Sequence, residues 1–133
     1  MSTQEIANQY KEALRYMDNA KEILRTKAAK KDGAYQDAKY VRMACGTAYN
    51  AVLIALNAYL KMKGKKIHGK PNNVNADDYR RALKDDKKML NHYNDTWTDL
   101  HCAGYYNGNL SFKVIARGMK AADAIINAIR PAN

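Results

Sequence analysis

The sequence contains few of the residues that mark special classes of protein. Two cysteines, two prolines and seven glycines among 133 residues exclude a disulfide framework, a collagen-like repeat and a linker-rich chain. Acidic residues are also scarce, since 13 Asp and Glu stand against 23 Lys and Arg, so the formal net charge is +10. This excess favours acidic partners but does not identify one.

The rest of the composition is that of a folded domain. Hydrophobic residues make up 47% and charged residues 27%, which excludes wholesale disorder. The length is sufficient to bury a core, and we expect one domain over residues 1–133. Residues 1–5 show no secretory pattern, and Cys45 and Cys102 fit buried thiols in a reducing compartment. We therefore predict a cytoplasmic protein.

Apolar residues recur every three or four positions through most of the chain, which is typical of amphipathic helices. The predicted helices cover residues 2–32, 34–63, 75–84 and 87–104, with a last helix that Pro131 closes. Residues 64–74 form the one long loop, and no window alternates long enough for a strand. The predicted fold is all-α, an antiparallel up-and-down bundle of four long helices plus one short helix. Whether the third and fourth helices are continuous stays open.

The second predicted helix contains an uncharged run that resembles a membrane span. Residues 43–60 carry no charge over eighteen positions, which is near the lower limit for crossing a bilayer. Thr47, Asn50 and Asn57 interrupt the run, and basic residues flank both of its ends. A helix buried among other helices explains the pattern better, so no membrane contact is predicted.

One flank of this helix is polar but carries little charge. Met43, Asn50, Ile54 and Asn57 lie on it and are poor choices for a surface in water. If the last helix covers them, the two asparagines need partners within the chain. If a second subunit covers them, they bond across a two-fold axis. These four residues are the candidate interface, and a homodimer is one expected assembly.

Positive charge concentrates in the loop and in the helix that follows it. The candidate anion or nucleic-acid contacts are Lys61, Lys63, Lys65, Lys66, His68, Lys70, Arg80 and Arg81. On one shared surface these side chains would neutralise several phosphates. Interleaved acidic residues favour an ordinary solvated helix instead, with Asp77 and Asp78 both paired to Arg81.

The other titratable residues do not form a recognisable reaction centre. His92, Asp95 and Asp99 share a helix face that points away from the predicted core, and they make an incomplete metal site. His101 and Cys102 are adjacent, and neighbouring helical side chains diverge by about 100°. We predict no metal, no cofactor and no catalytic residue.

Several segments resemble HEPN-type helical domains. AKEILR at residues 20–25, GAYQDAKY at 33–40 and AYNAVLIAL at 48–56 are similar to the opening helix pair of those domains. With DYRRAL at 78–83 and DKKMLN at 86–91, the chain resembles a small uncharacterised bacterial family with a HEPN-like bundle. The resemblance implies a HEPN-like fold, a tendency to pair, and a protein partner of the nucleotidyltransferase type.

The ribonucleases among HEPN proteins place an Arg a few residues before a His on one helix. The pair supplies a proton-transfer group near the ribose 2′-oxygen and a cation for the phosphate. No Arg lies five to seven residues before His68, His92 or His101 here. We therefore predict a non-catalytic binding or interaction module rather than an enzyme. The alternatives are a HEPN-type ribonuclease with a divergent motif and a nucleic-acid binder that uses residues 61–70.

Overall fold

The computed structural model describes residues 1–70 and 72–132. It is mostly helical, as predicted. The five helices are α1 (Thr3–Ile23), α2 (Ala38–Met62), α3 (Ala76–Ala82), α4 (Lys87–Thr96) and α5 (Phe112–Asn127). Two of them continue with a wider backbone winding. A π-helical turn (Leu24–Ala28) follows α1, and a π-helical extension (Trp97–Tyr106) follows α4 without a break.

A small hairpin between α1 and α2 departs from the prediction that the chain has no strands. Strand β1 (Lys30–Lys31) pairs antiparallel with β2 (Ala34–Tyr35), and Asp32 and Gly33 form the turn at positive φ. Two residues are too few to show an alternating pattern, so sequence periodicity gives no indication of either strand. The hairpin also delays the start of α2 from the expected residue 34 to residue 38.

Side-chain caps fix where the helices begin. The Ser2 hydroxyl accepts the Glu5 N–H at 3.1 Å, which is one of the two hydrogen bonds of the predicted capping box, and the Glu5 carboxylate accepts from the Ser2 hydroxyl instead of the Ser2 backbone. At α3, Asn75 and Asp78 each accept the other's backbone N–H at 2.9 Å. The Asp86 carboxylate accepts the Met89 N–H at the start of α4. Because Asp86 caps a new helix, α3 and α4 are separate, which answers the question that the sequence left open.

Helix α2 lies at the centre of the structure. Its apolar residues pack against α1, α4, the π-helical extension and α5. Tyr59 near its end contacts Asp86, and Arg42 near its start contacts Tyr106, so α2 runs antiparallel to α4 and its extension. Among the described residues, α2 is the one helix with the length and hydropathy of a membrane span. Because 56% of its most apolar window is buried inside the fold, core packing accounts for this composition.

An ion pair between a buried carboxylate and an exposed guanidinium joins the π-helical extension to α5. Asp99 is 2% exposed, and both of its carboxylate oxygens accept hydrogen bonds from Arg117, at 2.7 and 2.9 Å. A Cβ at Gly118 would lie 2.8 Å from the Asp99 side chain. The small residue lets the two helices approach closely, and the bidentate pair satisfies the buried charge.

Candidate functional site

An exposed, charge-poor surface lies where α2 packs against the π-helical extension. We call it the aromatic face, and it comprises Met43, Gly46, Asn50, His101, Tyr105 and Tyr106. Large apolar side chains are open to solvent here, since Met43 is 50%, Tyr105 49% and Tyr106 71% exposed. Tyr and Met side chains are enriched in the cores of protein interfaces.

Two glycines bring the helices together beneath this face. A Cβ at Gly46 would lie 2.8 Å from Cδ1 of Tyr105. A Cβ at Gly104 would lie 2.2 Å from the Sγ of Cys45. These distances are shorter than real Cβ atoms show to their neighbours. Glycine at positions 46 and 104 therefore allows the π-helical extension and the Tyr105 ring to pack this closely against α2.

The π-helical winding aligns a ladder of rings along the extension. Trp97 and His101 are stacked with centroids 4.2 Å apart and an angle of 11° between their planes. His101 and Tyr105 follow at 5.7 Å, and the Tyr49 ring meets His101 edge-on at 5.0 Å. Burial lowers the pKa of His101, which favours its neutral form in this stack. π-helical segments are frequent at functional sites.

The Arg42 side chain borders the aromatic face, and its guanidinium is hydrogen-bonded within the fold. The Arg42 guanidinium donates to the backbone carbonyls of Tyr105, at 3.4 Å, and of Tyr106. These carbonyls belong to the end of the π-helical extension, where basic side chains are favourable. Arg42 therefore anchors the two exposed tyrosines and does not project freely into solvent.

The structure divides the predicted interface residues between two locations. Met43 and Asn50 are exposed on the aromatic face. Ile54 is half-buried against the core, and Asn57 accepts a hydrogen bond from the Tyr79 hydroxyl at 2.9 Å. Asn57 thus has the partner within the chain that one of the two alternatives required. His101 and Tyr105 were not predicted to lie on this surface, although Trp97, His101 and Tyr105 follow one another at intervals of four residues in the sequence.

The two arginines among the predicted anion contacts are held by acidic neighbours. Arg80 pairs with Asp77 at 3.0 Å and also donates to the Asn94 amide oxygen at 2.8 Å. Arg81 pairs with Asp78, as predicted. The predicted Asp77–Arg81 pair was wrong, because the Arg80 side chain occupies the Asp77 carboxylate instead.

The lysines of the loop have a different environment. Lys61, Lys65 and Lys66 line a groove of about 420 Å³ whose walls include Asn57 and Tyr79, and we call this the lysine groove. Within the described part of the chain, none of the three lysines forms an ion pair. The remaining candidates lie apart from the groove: Lys63 over the Tyr59 ring, and His68 and Lys70 exposed in the loop. Residue 71 of this loop lies outside the described residues.

Two expectations about titratable residues need correction. Asp99 does not face away from the core beside His92 and Asp95, because it is buried and bound to Arg117. Among residues 1–70 and 72–132, no three His, Cys, Asp or Glu side chains are placed to hold a metal.

The side chains of His101 and Cys102 approach each other, contrary to the prediction that they diverge, with Nδ1 and Sγ 4.0 Å apart. The wider π-helical winding reduces the angle between successive side chains, so they diverge less than in an α-helix.

Comparison with known proteins places this architecture in a family. A family model described as "Domain of unknown function (DUF5618)" matches residues 8–131. The chain is also similar to the solved structure of a protein of unknown function from Dyadobacter fermentans. The TM-score is 0.79 and the identity 41%, and the match covers 97% of each chain. A comparison with curated proteins returns no relative. The chain therefore belongs to the DUF5618 family.

Proposed function

We propose that the protein is a non-catalytic interaction module that pairs with a second copy of itself through the aromatic face. The observation that supports this most directly is the exposure of Met43, Tyr105 and Tyr106 together on one surface, where the bordering Arg42 is bound to backbone carbonyls. On a chain with net charge +10, a neutral apolar surface is where two copies approach with the least repulsion.

Asn50 favours a second copy over an unrelated partner. It is exposed beside His101 and Tyr105, in a groove of about 270 Å³. Its amide has both donors and an acceptor and makes no hydrogen bond to any other described residue. Two such amides related by a two-fold axis can bond each other, as an isologous interface requires. The resemblance to HEPN-type domains, which commonly pair, supports the same assembly and a HEPN-like bundle.

The placement of the histidines supports a non-catalytic role. The arginines at the two ends of the ring ladder are both engaged within the fold: the Arg80 guanidinium carbon lies 5.6 Å from the Trp97 ring centroid, and Arg42 donates to the carbonyls of Tyr105 and Tyr106. The Trp97 indole is itself stacked on His101, so a phosphate-binding cation and an imidazole do not share an open cleft there. His68 and His92 lie on other elements, namely the loop and α4.

Molar mass in solution tests the pairing. We expect light scattering to give twice the chain mass of 15.0 kDa at micromolar concentrations. Asn50→Arg places two like charges near the axis and should weaken pairing at least tenfold. Asn91→Arg, at an exposed asparagine of α4, adds the same charge elsewhere and should leave pairing unchanged. A monomeric wild type, or equal effects of the two variants, would contradict the proposal. A heterologous partner such as a nucleotidyltransferase would then be the next occupant to test.

A second candidate function is association with single-stranded nucleic acid through the lysine groove. Three lysines without ion pairs in the described structure surround one groove, whereas Arg80 and Arg81 are neutralised. Titration of a labelled oligonucleotide against salt tests it. Replacing Lys61, Lys65 and Lys66 with Gln should reduce the salt slope by roughly two units, at about 0.7 per phosphate. Replacing the exposed Lys11, Lys27 and Lys113 lowers the net charge equally and should change the slope less.

A further inference from the structure

A concave site with a different lining from the two grooves described above lies beside the hairpin. Its volume is about 610 Å³, within the range of small-molecule cavities. Residues of α1, of the π-helical turn that follows it, of the hairpin and of α5 line it. Its floor is apolar and is formed by Leu24, Tyr35, Phe112 and Met119. None of these residues belongs to the aromatic face.

The backbone holds the walls of this cavity in place. The Tyr35 N–H donates to the Leu110 carbonyl at 2.8 Å, and the Phe112 N–H donates to the Gly33 carbonyl at 3.1 Å. These bonds fasten the hairpin to the start of α5. The Tyr35 and Phe112 rings lie against each other with centroids 5.9 Å apart. The cavity is therefore a preformed part of the fold, which lowers the entropic cost of binding.

The rim of the cavity is strongly basic. Lys21, Arg25, Lys30 and Lys120 line it together with a single carboxylate, Asp123. Lys21 lies 3.0 Å from both oxygens of Asp123, so that carboxylate is already neutralised. Arg25 pairs with Glu22 on the exposed side of α1.

Lys30 and Lys120 provide the positive charge that is left at the rim. The Lys30 ammonium lies 3.6 Å from the centroid of the Phe112 ring, directly over the apolar floor. Lys120 is exposed and has no ion pair to any other described residue. A cation without a counter-ion at the edge of an apolar floor favours a ligand that has an anionic group and an apolar body.

We propose that this cavity binds an amphipathic organic anion, namely a carboxylate with an unbranched apolar body of medium length. The hydrocarbon body packs on Leu24, Tyr35, Phe112 and Met119, where it is removed from water. The carboxylate lies at the rim between the ammonium groups of Lys30 and Lys120, with which it forms charge-assisted hydrogen bonds. Binding at this site is independent of pairing through the aromatic face.

Titration of the full chain with dodecanoate, below the concentration at which it forms micelles, tests the proposal. We expect one site per chain by calorimetry, and amide shifts in NMR spectra confined to residues 21–35 and 112–123. The double variant Lys30→Gln, Lys120→Gln should weaken binding about tenfold or more, since charged hydrogen bonds are lost. Lys87→Gln, Lys88→Gln removes the same charge on α4 and should leave affinity unchanged. If both double variants lost affinity for dodecanoate equally, the proposed site would be wrong.

Two further comparisons separate the apolar and charged parts of the ligand. Dodecyltrimethylammonium should bind much more weakly than dodecanoate, and the neutral dodecanol should bind at an intermediate level. Equal affinity for all three would mean that the cavity has no anion site. Ala116 also lines the cavity, so Ala116→Phe fills it and should abolish binding. A thermal melt followed by circular dichroism checks that the variant is folded. If it fails to fold, the two lysine double variants decide the question alone.

Discussion

The two ends of α2 are joined to α4 and its extension by different kinds of contact. Near its start, Cys45 and Gly46 lie directly against Gly104 and Tyr105, with no room for a further methyl group. Near its end, the Tyr59 hydroxyl donates to the Asp86 carboxylate. The first contact is steric, and the second is polar and close to solvent.

This difference explains why one helix presents two unlike surfaces. The steric end is fixed by close contacts at two glycines, and the cation that borders it, Arg42, is bound to backbone carbonyls, so the aromatic face above it is largely apolar. Lys61, Lys65 and Lys66 lie near the polar end and line the lysine groove. The proposed protein contact therefore lies at the first end, and the proposed anion contact lies at the second.

The largest expected effect is at the steric end. Gly104→Ala should destabilise the fold by about 3 kcal/mol, because the new methyl group overlaps the Cys45 side chain. Urea denaturation measures the loss. In the double variant with Cys45→Gly, the clash is relieved and a coupling of at least about 1 kcal/mol should appear. Strict additivity of the two changes would show that the helices separate easily, contrary to a steric contact.

Between the two ends, a buried pair of hydroxyls should produce the next largest effect. Tyr49 and Tyr93 share a hydrogen bond of 2.7 Å in the core. Tyr93→Phe leaves the Tyr49 hydroxyl without its partner and should cost about 2 kcal/mol of unfolding free energy. Adding Tyr49→Phe removes the orphaned group and should restore part of the loss. A double variant as unstable as the sum of the single variants would contradict this account.

A smaller effect is expected at the polar end. The hydrogen bond from Tyr59 lowers the pKa of Asp86, so the ionised carboxylate is favoured by folding. Its stabilising contribution is present above the ordinary Asp pKa and is lost as the pH falls through the lowered value. Tyr59→Phe should cost about 1 kcal/mol at neutral pH. NMR titration of the Asp86 carboxyl should show its pKa rising toward the ordinary value, and an unchanged pKa would contradict the assignment.

The smallest effect should come from His101 in the ring ladder. Burial lowers its pKa in the fold, so below about pH 6.5 the unfolded chain binds more protons than the folded one. Stability attributable to this residue therefore decreases as the pH falls from 7.5 to 5.5. His101→Gln should flatten that dependence in denaturation experiments, and His92→Gln should leave it unchanged. Identical pH profiles for wild type and His101→Gln would show that burial of the ring has no consequence.

Local patterns predicted the parts of the fold that depend on local interactions. The caps at Ser2 and Asn75, and the apolar stripes of α1, α2 and α5, were visible because each involves residues three or four positions apart. The hairpin was missed because its strands have two residues each. The start of α2 was misplaced for the same reason.

The candidate site was less predictable because it depends on contacts between elements. Nothing local distinguishes the α-helical winding of α4 from the π-helical winding that aligns Trp97, His101 and Tyr105. The close approach at Gly104 depends on which helix packs opposite, and so does the burial of Asp99 beside Arg117. The spacing of charges predicted the Asp78–Arg81 pair, but it assigned Asp77 to Arg81, whereas Asp77 pairs with Arg80 in the structure.

Intermolecular contacts across the aromatic face are the most direct test of the proposed pairing. In a mixed sample of isotope-labelled and unlabelled chains, filtered NMR experiments detect only proton pairs that belong to different copies. We predict intermolecular contacts between the Met43 methyl group and the Tyr105 and Tyr106 rings, which disappear in Asn50→Arg. Intermolecular contacts that arise only from other surfaces, or none at concentrations where the chain is dimeric, would contradict the account.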